Sequence, residues 1–335
     1  MRDNRCRFDG APGHYEVWYL TGNHRPTETG FWIRYTLESP LPGHGDPYAQ
    51  LWFAHFDARE PANNIAINRK FPIAAMTAEA SPFSVTIDES LLHADRASGQ
   101  IAGAGHEVSW DLRWIPSART HRQLPGVMYL RGGLGETTVL TPNLDVAVRG
   151  VLTVDGRTFE LAGEPAGQTH LWGRKHAYQW AWGHCNAFLD RPGAALEALS
   201  VTLRRRGVTL PRMTVFALYL DGRVHRFNQF RHALRTGARI GECQFAFHGR
   251  SARWRVEGEY TCRPEDMVVA EYADPDGEPS WCANTEVADL RVNVFERRGP
   301  LGWREHARLL APRCGHFEIG TRQRDPRIVA DHVTV

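Results

Sequence analysis

No run of apolar residues in this 335-residue chain is long enough to cross a bilayer as a helix. There is no Cys-x-x-Cys pair. The six cysteines, Cys6, Cys185, Cys243, Cys262, Cys282 and Cys314, are dispersed. That spacing argues against a zinc knuckle or a thioredoxin-like site and fits reduced, mostly buried thiols in a cytoplasm. Basic stripes are also missing. Lys and Arg total 40 against 38 Asp and Glu, and the densest basic run is Arg204-Arg205-Arg206. A nucleic-acid partner is therefore not expected. The opening Met1–Asp9 is charged and has no apolar core, so it does not read as a secretory leader. No Gly-x-Ser-x-Gly elbow occurs. The glycine-rich Arg131-Gly132-Gly133-Leu134-Gly135 misses the dinucleotide fingerprint, has no following helix signal, and reads as a loop. Nothing points to a cofactor.

Helical periodicity is scarce too. Only Ser90–Ala94 and Leu301–Leu310 carry it, the latter through Trp303, Ala307 and Leu310. What the chain has instead is strands and aromatic residues, with 11 Trp, 15 Phe and 9 Tyr. Strands are expected in the first half over 15–20, 31–37, 51–57, 107–115, 146–154 and 159–161. In the second half they are expected over 178–188, 196–204, 213–220, 224–230, 244–248, 252–262, 267–271, 288–296 and 315–319. Asp155-Gly156, Asp221-Gly222 and Asp276-Gly277 are turn pairs of the hairpin type. Many short strands with regular turns imply a sandwich or barrel. Leu161–Gln168, with Gly163, Pro165 and Gly167, reads as a connection between two β domains, 1–165 and 166–335.

The stretch from His176 to Phe188 splits by parity. His176, Tyr178, Trp180, Trp182, His184, Asn186 and Phe188 share one face, and Ala177, Gln179, Ala181, Gly183, Cys185 and Ala187 the other. Such a strand packs tightly on its small face and lines a cavity with its large one. Trp180 and Trp182 make a polarizable wall that could hold a polyene or stabilise a carbocation. His184 and Asn186 place polar groups further along the same wall. In the first half, His14, Glu16 and Trp18 share a face. Glu16 among aromatics would be raised in pKa and serve as an acid, or would pair with Arg34 and be ionised. Arg34 shares its face with Trp32 and Thr36. His55 sits among apolar neighbours, and His170 and Trp172 stand at the entrance of the central strand. Sixteen histidines invite a metal reading. However, His170, His176 and His184 lie six and eight residues apart, so on one strand they are roughly 20–26 Å from end to end of those intervals and cannot share an ion. No metal is expected.

Three segments carry a family likeness. Tyr15-Glu16-Val17-Trp18-Tyr19-Leu20, Phe31-Trp32-Ile33-Arg34-Tyr35-Thr36-Leu37 and Leu51-Trp52-Phe53-Ala54-His55-Phe56-Asp57 resemble the opening of bacterial tocopherol-cyclase-like proteins. His170-Leu171-Trp172-Gly173, then Trp180-Ala181-Trp182-Gly183-His184 and Phe188, resemble that superfamily's central signature. Phe317-Glu318-Ile319-Gly320 with Arg322 resembles its end. The superfamily also holds carotenoid 1,2-hydratases, AttH-like proteins and fungal lipocalin-like Diels–Alderases. The resemblance implies an all-β fold of two packed lipocalin-like (calycin) antiparallel barrels with few short helices. It also implies a ligand pocket between or inside the barrels and chemistry without metal or nucleotide on large apolar molecules.

The expectation is a cofactor-independent enzyme that hydrates, cyclises or isomerises a hydrophobic isoprenoid or polyketide-derived molecule. Glu16 and His184 are the candidate catalytic residues. Trp18, Arg34, His55, His170, Trp172, Tyr178, Trp180, Trp182 and Asn186 are candidates for substrate binding. The alternatives are a carrier for a lipid-like ligand, whose pocket needs no unpaired acid, and a noncatalytic attachment factor, which needs no cavity.

Overall fold

The computed structural model describes residues 2–118, 120–129, 136–299 and 302–335. The chain is all-β. Among the described residues its helices are single 3-10 turns. Strands gather into one thirteen-stranded and one ten-stranded sheet, with one small two-stranded ribbon.

The first sheet begins as a meander of His14–His24, Thr29–Ser39, Tyr48–Asp57 and Ile65–Pro72. On its other side His14–His24 pairs with Arg157–Gly173, the second arm of a long hairpin whose first arm is Thr137–Val154. The second sheet repeats the plan. Gln179–Cys185, Ala195–Thr202 and Met213–Leu220 form its meander. Gln179–Cys185 pairs on its other side with Trp303–Thr321, the second arm of a long hairpin begun by Pro279–Arg297. Asp155-Gly156 and Asp221-Gly222 make the expected turns, with both residues of each pair at positive φ.

Each sheet curls around its own core. Trp18, Leu20, Phe31, Ile33, Phe53 and Trp110 fill the first, and Phe216, Phe245, Phe247, Tyr260 and Phe317 fill the second. No ladder joins the two ends of either sheet among the described residues, so the expected closed barrels are not drawn by the pairing. A third apolar cluster lies between the sheets. Tyr15, Val17, Tyr19, Trp32 and Trp52 come from the first, and Trp180, Trp182, Tyr272 and Val287 from the second. Strand parity makes this possible, because the face of His14–His24 opposite Trp18 and Leu20 is free to pack outward.

Three local expectations are corrected. Ser90–His93 is a strand, not a helix. Residues 303–310 belong to the strand Trp303–Thr321. There Ala307, Leu309 and Ala311 are buried while Leu310 is exposed, a period of two rather than 3.6. Residues 161–168 lie inside Arg157–Gly173, and the chain changes sheets between Gly173 and Gln179. The glycine-rich stretch 131–135 lies outside the described residues.

Candidate functional site

The central strand Gln179–Cys185 keeps the parity read from its sequence. Ala181 and Cys185 enter the second core. A Cβ at Gly183 would come within 2.4 Å of the Tyr260 ring, so only glycine lets that ring lie flat beneath the strand. On the other face Trp180 and Trp182 point toward the first sheet. The cavity they line is a cleft between the two sheets rather than the inside of one.

The cleft has two chambers. The first, about 150 Å³, is walled by Tyr15, Val17 and Tyr19 from one side and Trp180, Trp182 and Leu199 from the other. Its volume matches a cavity that holds one small aromatic ring. The second, about 300 Å³, is lined by polar side chains that include Thr36, Glu38, Gln50 and Asn68. Val17, Arg34, His176 and Tyr272 line both chambers and form the constriction between them.

His176 stands just before the central strand. Asp274 holds it twice: the His176 backbone N–H donates to Oδ1 at 2.8 Å, and Nδ1 lies 2.6 Å from the same oxygen. The ring stacks on Tyr15 with centroids 4.3 Å apart and on Tyr272 at 5.5 Å. Burial acts to raise the Asp274 carboxyl, but its bonds to His176 and the Arg322 guanidinium 2.8 Å away hold it below its usual value. An ionised Asp274 keeps the proton on Nδ1. Nε2 then remains the acceptor, with no hydrogen-bond partner among the described residues.

Glu38 has the opposite environment. It is 6% exposed and faces the polar chamber, with no hydrogen bond or ion pair to its carboxyl among the described residues. Burial raises its pKa well above the ordinary glutamate value and Asp274 adds to this, while Lys70 and Arg34 oppose. Its surroundings therefore favour the neutral, proton-bearing form.

Arg34 sits in an aromatic box. Its guanidinium carbon lies 4.8 Å from the Tyr272 ring centre, 5.2 Å from Tyr19 and 5.3 Å from Trp32. Beside it, Glu318 accepts the Trp180 Nε1 proton at 2.8 Å and the Cys282 thiol at 3.5 Å. Below the cleft, the Tyr19 hydroxyl donates to buried Glu286 at 2.6 Å, and Thr21 donates to the other oxygen. Burial raises Glu286 well above its usual value.

Of the residues singled out from sequence, Arg34, Trp180 and Trp182 meet in this cleft. Glu16 does not. It lies on the opposite strand face and accepts the backbone N–H groups of Arg7 at 2.9 Å and Phe8 at 3.1 Å, with His170 Nε2 at 2.7 Å. Burial would raise Glu16, but His14, His170 and the Arg7 amide bring it down to about 2, so it is ionised, as in the second of the two readings, but with these partners in place of Arg34. Trp18 stacks on His170 at 5.0 Å and donates to the Asn4 carbonyl, and Arg7 covers Trp172 at 4.8 Å. These four residues anchor the N-terminal segment. His184 meets His316 of its own sheet at 2.9 Å and reaches across to the Leu144 carbonyl of the other at 2.7 Å. Asn186 donates to Asp145 and to the Ala166 carbonyl. His55 lies beside Phe159, its pKa pushed down by burial to about 4. Tyr178 sits under Arg204 and lines a separate cavity with Trp281 and Arg322.

His170, His176 and His184 thus have separate partners. One acidic group, Asp274, Asp276 and Glu278, has oxygens close enough to share an ion. Cations already hold all three carboxyls: Lys175 bridges Asp276, at 2.6 Å, and Glu278, and Arg322 pairs with Asp274.

Sequence reasoning passed over His176 as a site residue and missed Asp274, Glu38 and Tyr272. Glu38 had a signal, since it shares strand parity with Arg34 and Trp32. Asp274 had none, lying 98 residues from its partner.

Residues 97–321 match the family model described as tocopherol cyclase-like. An uncharacterised protein of Mycobacterium tuberculosis strain H37Rv is 28% identical over 321 residues, covering 94% of this chain and 89% of the relative. A putative AttH from Nitrosomonas europaea superposes with a TM-score of 0.58 at 15% identity, over 95% of this chain and 94% of that one. Kievitone hydratase from Nectria haematococca superposes with a TM-score of 0.53 at 9% identity, over 96% and 92%. CghA with Sch210972 gives 0.51 at 9% identity, over 92% and 88%. At these identities the solved structures establish a shared fold.

Proposed function

The chain belongs to the tocopherol cyclase-like family, and from that premise we propose that it is a cofactor-independent hydratase, cyclase or isomerase acting on an apolar isoprenoid or polyketide-derived molecule in the cleft between its two sheets. The observation that carries this reading is a buried, unpartnered carboxyl and an oriented imidazole on one cleft. Glu38 faces the polar chamber without a partner, and His176 is fixed on Asp274 at 2.6 Å at the constriction. In the forward step the Glu38 carboxyl gives its proton to one end of a substrate double bond. The π pair becomes the new C–H bond. Water, or a hydroxyl of the substrate itself, adds to the other end and passes its proton to His176 Nε2. Proton return from His176 to Glu38 resets the site. Trp180 and Trp182 shape the apolar chamber and exclude water from it.

Two likenesses support the reaction class: the family is described by a cyclase, and one structural neighbour is titled a hydratase. A carrier would gain nothing from a buried, unpartnered carboxyl, which costs stability whenever it ionises. The test is incubation of the protein in D2O with a panel of prenylated phenols and unsaturated ketones, read by mass spectrometry. Carbon-bound deuterium in one product is the expected result. Binding of panel members with no mass change in any of them would favour the carrier.

A further inference from the structure

The face of an aromatic box is where a substrate carbocation would be expected to rest. Here that face is taken. Arg34 is 8% exposed, and its guanidinium lies against Tyr272, Tyr19 and Trp32. It makes no ion pair among the described residues, and its Nε has no hydrogen-bond partner. The Glu318 carboxyl that acts on it from a distance is already bonded by Trp180 and Cys282, and a buried cation with no direct ion pair is costly unless a ligand completes it. Two other charged groups on the wall of the apolar chamber are engaged. Lys175 is held by Asp276, and Glu318 by Trp180. At the constriction the Arg34 Nε and the Tyr272 hydroxyl are both left without a hydrogen-bond partner among the described residues, and a guanidinium donor matches an oxygen acceptor.

We infer that Arg34 is an oxyanion-binding residue, so that the cleft selects substrates presenting a carbonyl, enolate or phenolate oxygen at the constriction and disfavours a cationic centre there. This rests on the cleft being the site, as proposed above. It narrows the chemistry. The double bond that Glu38 protonates would be conjugated to an oxygen held by Arg34. When His176 takes a proton from an adjacent carbon, the C–H pair moves through the conjugated system onto that oxygen, beside the fixed cation, and returns to form the new C–H bond as Glu38 gives up its proton.

Three probes of one shape and different charge test this: phenylpropanoate, phenylpropanol and phenylpropylammonium, titrated into the full chain by NMR or calorimetry. The phenyl ring suits the apolar chamber of about 150 Å³. The anion is expected to bind at least tenfold tighter than the cation. Arg34→Met should erase that preference, Arg34→Lys should keep part of it, and both should still bind the alcohol. Equal or tighter binding of the cation by the unaltered protein would overturn the inference. So would an anion preference that survives in Arg34→Met. Leu199→Trp, which fills the apolar chamber, serves as the control for place. If it weakens all three probes while no charge preference exists, the Arg34 inference fails and the cleft stands. If it changes none of them, the cleft reading fails and takes the inference with it.

Discussion

His176 Nδ1 lies 2.6 Å from Asp274 Oδ1 across 98 residues of sequence, and the His176 amide donates to the same oxygen. The carboxylate thereby orients the imidazole and favours the proton on Nδ1, and the ring lines both chambers of the cleft. Replacing His176 by Asn removes the base and should lower turnover roughly a hundredfold to ten-thousandfold, with little change in KM. Asp274→Asn should lower kcat as well. It also strips Arg322 of its partner, so its melting temperature should fall further than that of His176→Asn. Steady-state kinetics and thermal melts of both variants read this.

Glu38→Gln keeps the shape of the acid and removes its proton. Turnover should fall by a similar factor while ligand affinity holds. The sign of the pH effect follows from its raised pKa. The protonated form persists above the ordinary glutamate value, so the rate should be flat through mildly acidic pH and fall as pH rises through the Glu38 pKa. The groups facing Glu38 that set this point are Asp274, Lys70 and Arg34. A pH–rate profile of the unaltered enzyme checks it.

Glu16 titrates in the other direction and acts on stability. Its folded pKa of about 2 lies below the ordinary glutamate value of 4.5. The stabilisation is therefore present above about pH 4.5 and lost as pH falls toward 2. The gap corresponds to roughly 3 kcal/mol. Glu16→Gln should destabilise the fold at neutral pH by that order and flatten the acid limb of the stability curve. Turnover per folded molecule should stay unchanged. Chemical denaturation across pH, beside an activity assay, separates the two effects.

Trp180 rests on a glycine of the neighbouring strand. A Cβ at position 320 would lie 2.0 Å from the Trp180 ring. Gly320→Ala should push the indole off that floor, break its bond to Glu318 and cost about 1–3 kcal/mol. Probe affinity for the apolar chamber should drop, whereas Gly193→Ala, a turn position with nothing near its Cβ, should leave affinity alone.

Much of this architecture was legible in residue patterns. Alternation in 179–185 marked a strand with a small face and a large one, because side-chain direction follows from backbone pleat alone. The same rule placed Arg34 on a face with Trp32. Parity does not say which surface a face meets, and there the reading of Glu16 failed. Its face meets the N-terminal segment, whose backbone amides hold it ionised. The face carrying Glu38 meets the other sheet. Two strand faces of similar composition thus gave carboxyls of opposite character, decided by partners distant in sequence. Residues 303–310 misled for a related reason. Trp303, Ala307 and Leu310 fit a helical period, yet pairing with the strand Pro279–Arg297 imposes a period of two.

The proposed chemistry requires Glu38, not Glu16, to be the proton-bearing carboxyl. Carbon-13 NMR of glutamate-δ-labelled protein, with each signal assigned by its Gln variant, measures both at once. At neutral pH the Glu38 signal should sit at the carboxylic-acid position and move only as pH is raised, while the Glu16 signal should already be that of a carboxylate. A Glu38 signal that has ionised by neutral pH, titrating like an ordinary exposed glutamate, would contradict the account.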